Sequence, residues 1–444
     1  MSGETTKPAS HKLFLSIVCL LAAAPVVKIG DVQLLELVLF SHLLWLSLTL
    51  VFQRFRAPLN TLWRSLGAAY AIFFFAASIL ALASLRFRFF PPLPSEPFLK
   101  QPLVLSLARL AELFLGAFYM LYIASILRSN AATRMFATRF YFWTGISTTI
   151  YAVLSIPLNL AAGLDLGVYY PNLRARGLFN EGGPYGLYLI SVIVVGLLLY
   201  RVGGLTKFKG LVACLTLLPI FLLTQSKAAI GACLLLFLVN TFIAGTHRLK
   251  LAFVIVAVAF GTAINSFTTL GDSAVGYLNS YLLIQDVGPR IDESVYGGFG
   301  GRVAGAVLLP RMLMAHPITG IGLGNYPLLF NDPHYLQGLT PTNSWELPGM
   351  GLLEYVAELG LPLFLYLFVL LLIPAWMASR NKSLPIVMIF AGIQPLVHIF
   401  GTQLNFYYPW ICSGLALSFL DYRINPVNNF HNNGIHVSRH IKNA

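Results

Sequence analysis

Residues 316–326 read His316-Pro317-Ile318-Thr319-Gly320-Ile321-Gly322-Leu323-Gly324-Asn325-Tyr326. This glycine-rich run lies within a polar interval, residues 271–350, of a chain that is otherwise almost continuously apolar. A connection of roughly 80 residues is usually either disordered or functional. The interval keeps aromatic residues that an unstructured tether lacks, namely Tyr277, Tyr281, Tyr296, Phe299, Tyr326, Phe330, Tyr335 and Trp345. We therefore expect it to form the lid and chemical face of a membrane protein.

Composition places the chain among integral membrane proteins. Of its 444 residues, 57% are hydrophobic and 10% are charged, whereas about a quarter of a soluble domain is charged. The net charge of +13 does not indicate a nucleic-acid partner, because the cations are scattered at the ends of apolar runs and form no basic face. The polar residues 1–12 and the apolar run after them predict a first transmembrane helix and no cleaved signal peptide.

Metal and cofactor chemistry have no signature in the sequence. Each of the four cysteines, Cys19, Cys214, Cys233 and Cys412, lies within an apolar stretch and has no paired spacing or neighbouring histidine. This pattern argues against a zinc site and against a disulfide framework. We expect neither a metal nor a cofactor.

Apolar runs of about 17 to 25 residues can cross roughly 30 Å of hydrocarbon as helices. The sequence contains twelve candidate runs, which predict an all-α polytopic membrane protein. Their approximate bounds are 13–29, 33–52, 65–85, 103–127, 140–163, 185–201, 210–225, 228–245, 250–270, 351–378, 385–402 and 408–421. They divide the chain into a nine-helix region (1–270), the polar loop (271–350), a three-helix region (351–421) and a tail (422–444).

The basic residues predict the orientation of the helices. With both termini in the cytoplasm, 18 of the 29 cations fall on the cytoplasmic side and ten on the outer side, and every short cytoplasmic loop is basic. Lysine and arginine are enriched in the cytoplasmic loops of membrane proteins. The polar loop is therefore expected on the outer face.

Three short segments carry cations at the predicted outer ends of spans. Arg174 and Arg176 stand beside glycines before the sixth span, Lys227 lies in the turn between the seventh and eighth, and Arg302 opens a predicted short helix. Guanidinium groups match phosphate oxygens, and glycines allow close approach of a pyrophosphate. We expect these four residues to bind a diphosphate. The alternative is that their long side chains snorkel to the interface or form surface ion pairs.

Two histidines and one glutamate are candidates for a general base. The proton affinity of His316 and His334 lies nearest physiological pH, although a histidine before proline, such as His316, is more often structural. Glu346 follows Trp345, an aromatic ring on which a sugar can stack. The predicted catalytic residues are His334 and Glu346, and the predicted sugar-binding residues are Trp345 and Tyr326.

The acidic residues near spans have both structural and functional interpretations. Glu354 and Glu358, four apart, lie on one face at the start of the predicted tenth span, where a helix N-terminus favours carboxylates in any case. Arg109 and Glu112, three apart in the fourth span, predict an intramembrane ion pair with Glu36 as a further partner.

The sequence resembles the bacterial O-antigen ligase and O-antigen polymerase superfamily in three segments, over about residues 170–375. The segments are Arg174-x-x-Gly177-x-Phe179, Thr224-Gln225-Ser226-Lys227, and the stretch from Arg302 through His316-Pro317-x-x-Gly320-x-Gly322-x-Gly324-Asn325-Tyr326 to Glu354-Tyr355-Val356-Ala357-Glu358-Leu359-Gly360. The layout of many helices with one large outer loop extends the resemblance to the whole chain.

This resemblance implies a metal-independent glycosyltransferase of the GT-C type in the bacterial inner membrane. Such an enzyme takes a glycan from undecaprenyl diphosphate and transfers it, with inversion, to a sugar hydroxyl on the periplasmic face. The family's diphosphate-binding arginines correspond to Arg174 and Arg302, with Arg176 as an additional candidate. The third family position, usually arginine, is Lys227 here, which keeps the charge and loses the bidentate fork.

The resemblance leaves two related activities open. Ligases carry a histidine shortly before the Ala-Glu-x-Gly end of the motif, where this chain reads Leu347-Pro348-Gly349-Met350-Gly351. This departure favours a polymerase of surface-polysaccharide repeat units, with ligation to a lipid A-core as the alternative. The implied partners are an undecaprenyl-diphosphate-linked oligosaccharide, a glycan or lipid A-core acceptor, the bilayer, and a chain-length regulator or flippase. An alternative from a different class is a multi-span transporter. A transporter would show related halves and ionisable residues deep in several spans, whereas the ionisable residues here gather at the outer ends of the spans.

Overall fold

The computed structural model describes residues 8–29, 32–53, 63–88, 98, 101–164, 166–169, 173–226, 228–234, 300–337, 351–379, 385–399 and 406–421. Within these ranges the chain is mostly helical, with two short antiparallel hairpins. Five of the described helices are long and apolar enough to cross a membrane. The fold class is therefore that of a helical membrane protein, as the sequence predicts.

The first half of the chain contains the longest helices. Their bounds are α1 Pro8–Ala22, α2 Leu34–Gln53, α3 Ala68–Ala81, α4 Pro102–Ser129, α5 Ala131–Ala162, α6 Gly182–Arg201 and α7 Lys207–Leu223. A π-helical turn, Trp63–Gly67, leads into α3, and a 3-10 turn, Leu82–Arg86, follows it. The hairpins pair β1 (Lys28–Ile29) with β2 (Val32–Gln33) and β3 (Val168–Tyr169) with β4 (Arg174–Ala175).

The second half contains shorter helices and one long span. Their bounds are α8 Gly300–Ala315, α9 Tyr326–Leu329, α10 Pro333–Leu336, α11 Leu352–Leu359, α12 Leu361–Ser379, α13 Pro385–Gly392, α14 Gln394–Ile399 and α15 Tyr408–Leu417. Residues 228–234 are also helical. The predicted ninth span, 250–270, lies outside the described residues.

The structure corrects two of the predicted spans. The predicted span 351–378 is interrupted at Gly360, whose φ is +72° and where a Cβ would lie 2.4 Å from the Ile318 carbonyl oxygen. The helix predicted from residue 140 begins at Ala131, because the Asn130 side chain caps it by accepting the Thr133 amide at 3.0 Å. The hydropathy pattern did not indicate this start, because the first turns of the helix contain polar residues. The total of twelve spans stays a prediction.

Helix α4 lies at the centre of the bundle, packed against α2, α3, α5 and α15. Its closest approach to α15 depends on small residues. Gly116 leaves room for the Trp410 ring, and a Cβ on Gly414 would lie 2.8 Å from the Met120 carbonyl oxygen. Small residues let helix backbones approach closely in membranes, where packing contributes strongly to association.

The helices end in two chemically different groups of loops. At one end, Arg128 pairs with Asp421, and Arg134 donates to the Ser418 carbonyl at 2.8 Å. We call this the basic end. At the other end, α3 finishes, α4 begins, and the glycine-rich run contacts both; we call this the loop end.

Replacing Gly414 by Ala tests the packing of α4 on α15. The added Cβ meets the Met120 carbonyl, a backbone atom, and overpacking typically costs about 1–3 kcal/mol. We expect a lower thermal midpoint for the purified protein in detergent. Gly231→Ala is the matched control, because a Cβ there has no described atom within 4 Å. Equal midpoints for the two variants would contradict close packing of the two helices.

Candidate functional site

The glycine loop, residues 316–325, joins α8 to α9 and rests on the end of α11. The Ile321 amide donates to the Ala357 carbonyl at 3.1 Å, and the Gly322 amide donates to the Glu358 carbonyl at 2.9 Å. In the other direction, the Leu361 amide donates to the Pro317 carbonyl at 2.8 Å. These bonds hold the loop and the start of α12 together.

Two of the glycines explain the spacing seen in the sequence. Gly320 has a φ of +63°, and a Cβ there would lie 2.2 Å from the Glu358 carbonyl oxygen. Gly322 has a φ of +90°, and a Cβ there would lie 2.2 Å from the Ser84 hydroxyl. Left-handed backbone without a side chain is what glycine permits. The loop therefore touches α11 on one side and the end of α3 on the other.

The Glu358 side chain fixes the far end of the glycine loop. Its exposed fraction is 3%, and its Oε1 accepts the Tyr326 amide at 3.1 Å, with the Gly324 amide as a second donor. Burial and the nearby Glu354 raise the pKa of Glu358, while the two amides act in the opposite direction. Glu358 lies in the last turns of α11, so the favourable field of a helix N-terminus does not explain its position.

Polar side chains from the 3-10 turn after α3 and from α4 hold the outer side of the loop. Arg86, at the end of the 3-10 turn, donates through Nη2 to the Thr319 hydroxyl at 2.8 Å and to the Gly320 carbonyl at 3.4 Å. Asn325 donates to the Ser106 hydroxyl at 3.0 Å. Arg86 was not among the residues predicted for the site, and its position at the outer end of a span, two residues before Arg88, is the feature of the sequence that could have indicated it.

His316 lies beside the arginine that holds the loop. Its Nε2 is 3.0 Å from the Tyr335 hydroxyl, and the Phe87 ring meets the imidazole edge-on at 5.2 Å. Burial lowers the pKa of His316, and Arg86 and His334 lower it further. Burial also raises the pKa of Tyr335 to about 12. This lowered pKa favours the neutral imidazole of His316, the form that accepts a proton.

His334 completes what we call the histidine group, which consists of Arg86, His316, His334 and Tyr335. The His334 amide donates to Asp332 Oδ1 at 2.9 Å, which caps α10, and the imidazole is exposed beside the Tyr335 ring. Arg311 of α8 donates to the Tyr335 carbonyl at 2.9 Å and so anchors α10. The structure thus brings the two predicted histidines into one group.

The arginine hairpin, formed by β3, β4 and residues 176–179, lies at the mouth of α6. Arg174 Nε donates to the Thr224 carbonyl at 3.0 Å, and the Ser226 hydroxyl donates to the Gly183 carbonyl at 3.3 Å. Gly182 makes this contact possible, since a Cβ there would lie 2.8 Å from Arg174 Nε. The structure therefore joins the first two segments of the family resemblance.

Arg176 is oriented by its own hairpin. Its Nε donates to the Leu166 carbonyl at 3.1 Å, and its guanidinium lies 4.5 Å from the centre of the Tyr169 ring. These two contacts set the orientation of the Arg176 guanidinium.

The remaining predicted site residues have different outcomes. Tyr326 is a core residue with 1% of its surface exposed, so its ring offers no face to a sugar and it leaves the sugar-binding set. Arg302 lies in α8, which packs against α10 and α11, but its side chain is outside the described part of the chain. Lys227, Trp345 and Glu346 lie outside the described residues.

No family model matches this chain, and no curated protein matches it. The assignment of a function therefore depends on the sequence motifs and on the geometry of the loop end.

Replacing Glu358 by Ala removes the acceptor for the Gly324 and Tyr326 amides. Each buried amide left without a partner destabilises the loop by about 1–3 kcal/mol. We expect faster hydrogen exchange at residues 322–326, measured by mass spectrometry of the protein in nanodiscs. Glu358→Gln keeps an acceptor oxygen at the same place and should stay close to the wild-type rate. Equal exchange in all three proteins would show that Glu358 does not hold the loop.

The pKa of His316 should rise when Arg86 is replaced by Gln, because the positive charge of the Arg86 guanidinium, which lowers this pKa, is removed. Burial remains, so the pKa should stay below the ordinary value of 6.5. The pH dependence of His316 carbethoxylation, read by mass spectrometry, measures this change. Arg88→Gln, at a neighbouring exposed arginine, is the control. An unchanged or lowered pKa in Arg86→Gln would refute the electrostatic coupling.

Proposed function

We propose that this protein is an integral-membrane glycosyltransferase that uses an undecaprenyl-diphosphate-linked glycan as donor and a sugar hydroxyl as acceptor. The Arg174–Thr224 hydrogen bond carries the proposal, because it fixes a guanidinium at the loop end beside residues 224–226. In the sequence, a second cation, Lys227, comes directly after these residues. The resemblance of the same two segments to lipid-linked glycan transferases supplies the substrate class. Polymerisation of repeat units is the leading activity, and ligation to a lipid A-core is the alternative.

The described groups suit transfer without a metal ion. The acceptor oxygen bonds to the anomeric carbon, the bond from that carbon to the diphosphate oxygen breaks, and the hydroxyl proton passes to a base. Fixed cations stabilise the negative charge that develops on the departing diphosphate. Arg174 and Arg176 provide such cations, and the neutral His316 or the exposed His334 provides a base.

Charge distribution supports a periplasmic location for the loop end. The described cations of the basic end include Lys12, Arg128, Arg134, Arg139, Arg201, Lys207 and Lys209. The loop end carries mixed charge, since it holds the acidic residues Glu181 and Asp332 as well as Arg86, Arg174 and Arg176. Under the positive-inside rule the basic end faces the cytoplasm. The loop end, where the donor lipid binds, then faces the periplasm.

Replacing Arg174 by Ala should lower the release of undecaprenyl diphosphate by about 10²-fold or more, because a fixed donor to the leaving group is lost. The assay uses purified protein in nanodiscs, undecaprenyl-diphosphate oligosaccharide and no added divalent metal. Arg174→Lys keeps the charge without the fork and should retain intermediate turnover. Arg201→Ala, at an exposed arginine of the basic end, should leave turnover unchanged.

Two results would count against the proposal: unchanged turnover in Arg174→Ala, or a strict requirement for a divalent metal. The products of the same assay separate the two activities. A longer lipid-linked glycan indicates a polymerase, whereas glycan attached to an added lipid A-core indicates a ligase.

A further inference from the structure

A second polar group lies below the glycine loop, near the start of α2 and α4. Arg109 Nη1 and Glu112 Oε2 form an ion pair at 2.8 Å, which confirms the pairing predicted from their spacing. Glu36, in the first turn of α2, interacts electrostatically with both residues. Together with Tyr407, we call these residues the carboxylate cluster.

The partial exposure of this ion pair indicates polar surroundings. Arg109 and Glu112 belong to a helix long and apolar enough to span the membrane, and their side chains are 34% and 20% exposed. Charged groups within spans almost always face the interior of the bundle or a water-filled space, because contact with hydrocarbon is costly. The exposed part of the pair therefore faces a polar space at the loop end.

Tyr407 adds an independent observation at the same place. Its exposed fraction is 3%, and its hydroxyl has no hydrogen-bond partner among the described residues. This hydroxyl lies within electrostatic reach of Glu36, Glu112 and Arg109. A buried hydroxyl left without a partner is destabilising, because it has given up its hydrogen bonds to water. A polar atom of a ligand in the cluster would remove that penalty.

The cluster lies between the two groups that the proposed mechanism uses. On one side, the Phe406 ring is 6.2 Å from the Phe179 ring of the arginine hairpin. On the other side, a Cβ on Gly324 would lie 3.0 Å from Arg109 Cγ, so the stem of Arg109 supports the glycine loop. A molecule that reaches from the arginine hairpin to the glycine loop would pass the carboxylate cluster.

The charges of the cluster favour a neutral ligand. Arg109 and Lys28 both act on Glu36 and oppose the repulsion from Glu112. The acidic groups of the cluster therefore already have cations beside them, which leaves little demand for a metal ion. Hydrogen-bonding capacity remains, because carboxylates accept from hydroxyl groups, a guanidinium donates to them, and a phenol does both.

We propose that the carboxylate cluster binds a sugar ring, with Glu112 and Tyr407 as hydrogen-bonding partners of its hydroxyl groups. The inference rests on the proposed function and names where the glycan lies when its diphosphate is held by the arginine hairpin. Neither residue belonged to the site predicted from the sequence.

The test compares the affinity of two lipids for the protein in phosphatidylcholine nanodiscs: undecaprenyl diphosphate and the same lipid carrying a disaccharide. In the wild-type protein the sugar-bearing lipid should bind about tenfold more tightly, a difference of about 1.4 kcal/mol. Tyr407→Phe and Glu112→Gln should each lose most of this margin. Their affinity for undecaprenyl diphosphate itself should not change, which also shows that both variants are folded.

Tyr188→Phe is the matched control, because it removes an equally buried hydroxyl that has no hydrogen-bond partner among the described residues. It should keep the full margin. A margin that survives in both cluster variants overturns the sugar site and leaves the proposed function standing. Failure of the wild-type protein to bind either lipid overturns the proposed function itself.

Discussion

The loop end depends on the buried carboxyl group of Glu358, which accepts hydrogen bonds from the backbone amides of Gly324, in the glycine loop, and of Tyr326, directly after it. This carboxyl group closes a loop whose other bonds run to the Ala357 and Glu358 carbonyls, so one short segment of α11 supports most of the loop. The loop in turn fixes Thr319, to which Arg86 donates, and it positions His316 at the end of α8. The positions of the side chains in the histidine group therefore depend on the contact between Glu358 and the opposite side of the glycine loop.

Membrane insertion explains why so much polar chemistry is gathered at this end. Ionisable groups are tolerated in an apolar bundle where they pair, where backbone donors meet them, or where they reach water. Glu358 illustrates the second case, and Arg109 with Glu112 combines the first and third. The basic end, by contrast, uses its arginines to join helices, as Arg134 does with the Ser418 carbonyl. The two ends thus differ in their charge, because the loop end carries ionisable acids beside its arginines.

Local patterns in the sequence predicted local features of the structure. Apolar runs indicated the long helices, and the spacing of Arg109 and Glu112 indicated their ion pair. The break at Gly360 was missed because its cause is the Ile318 carbonyl, a contact from a distant segment. The burial of Tyr326 and its bond to Glu358 were missed for the same reason, since the two residues are 32 positions apart. Arg86 was overlooked because an arginine at the end of a span has an ordinary explanation in snorkelling.

The proposed function requires the arginine hairpin to hold a diphosphate at the loop end, with the glycine loop and the carboxylate cluster beside it. A cryo-electron microscopy map of the protein in nanodiscs with undecaprenyl diphosphate bound would test this requirement. Diphosphate density is expected within about 4 Å of the Arg174 guanidinium, the usual limit for an ion pair. Diphosphate density at the basic end beside Arg128 and Arg134, with none at Arg174, would contradict the proposed function.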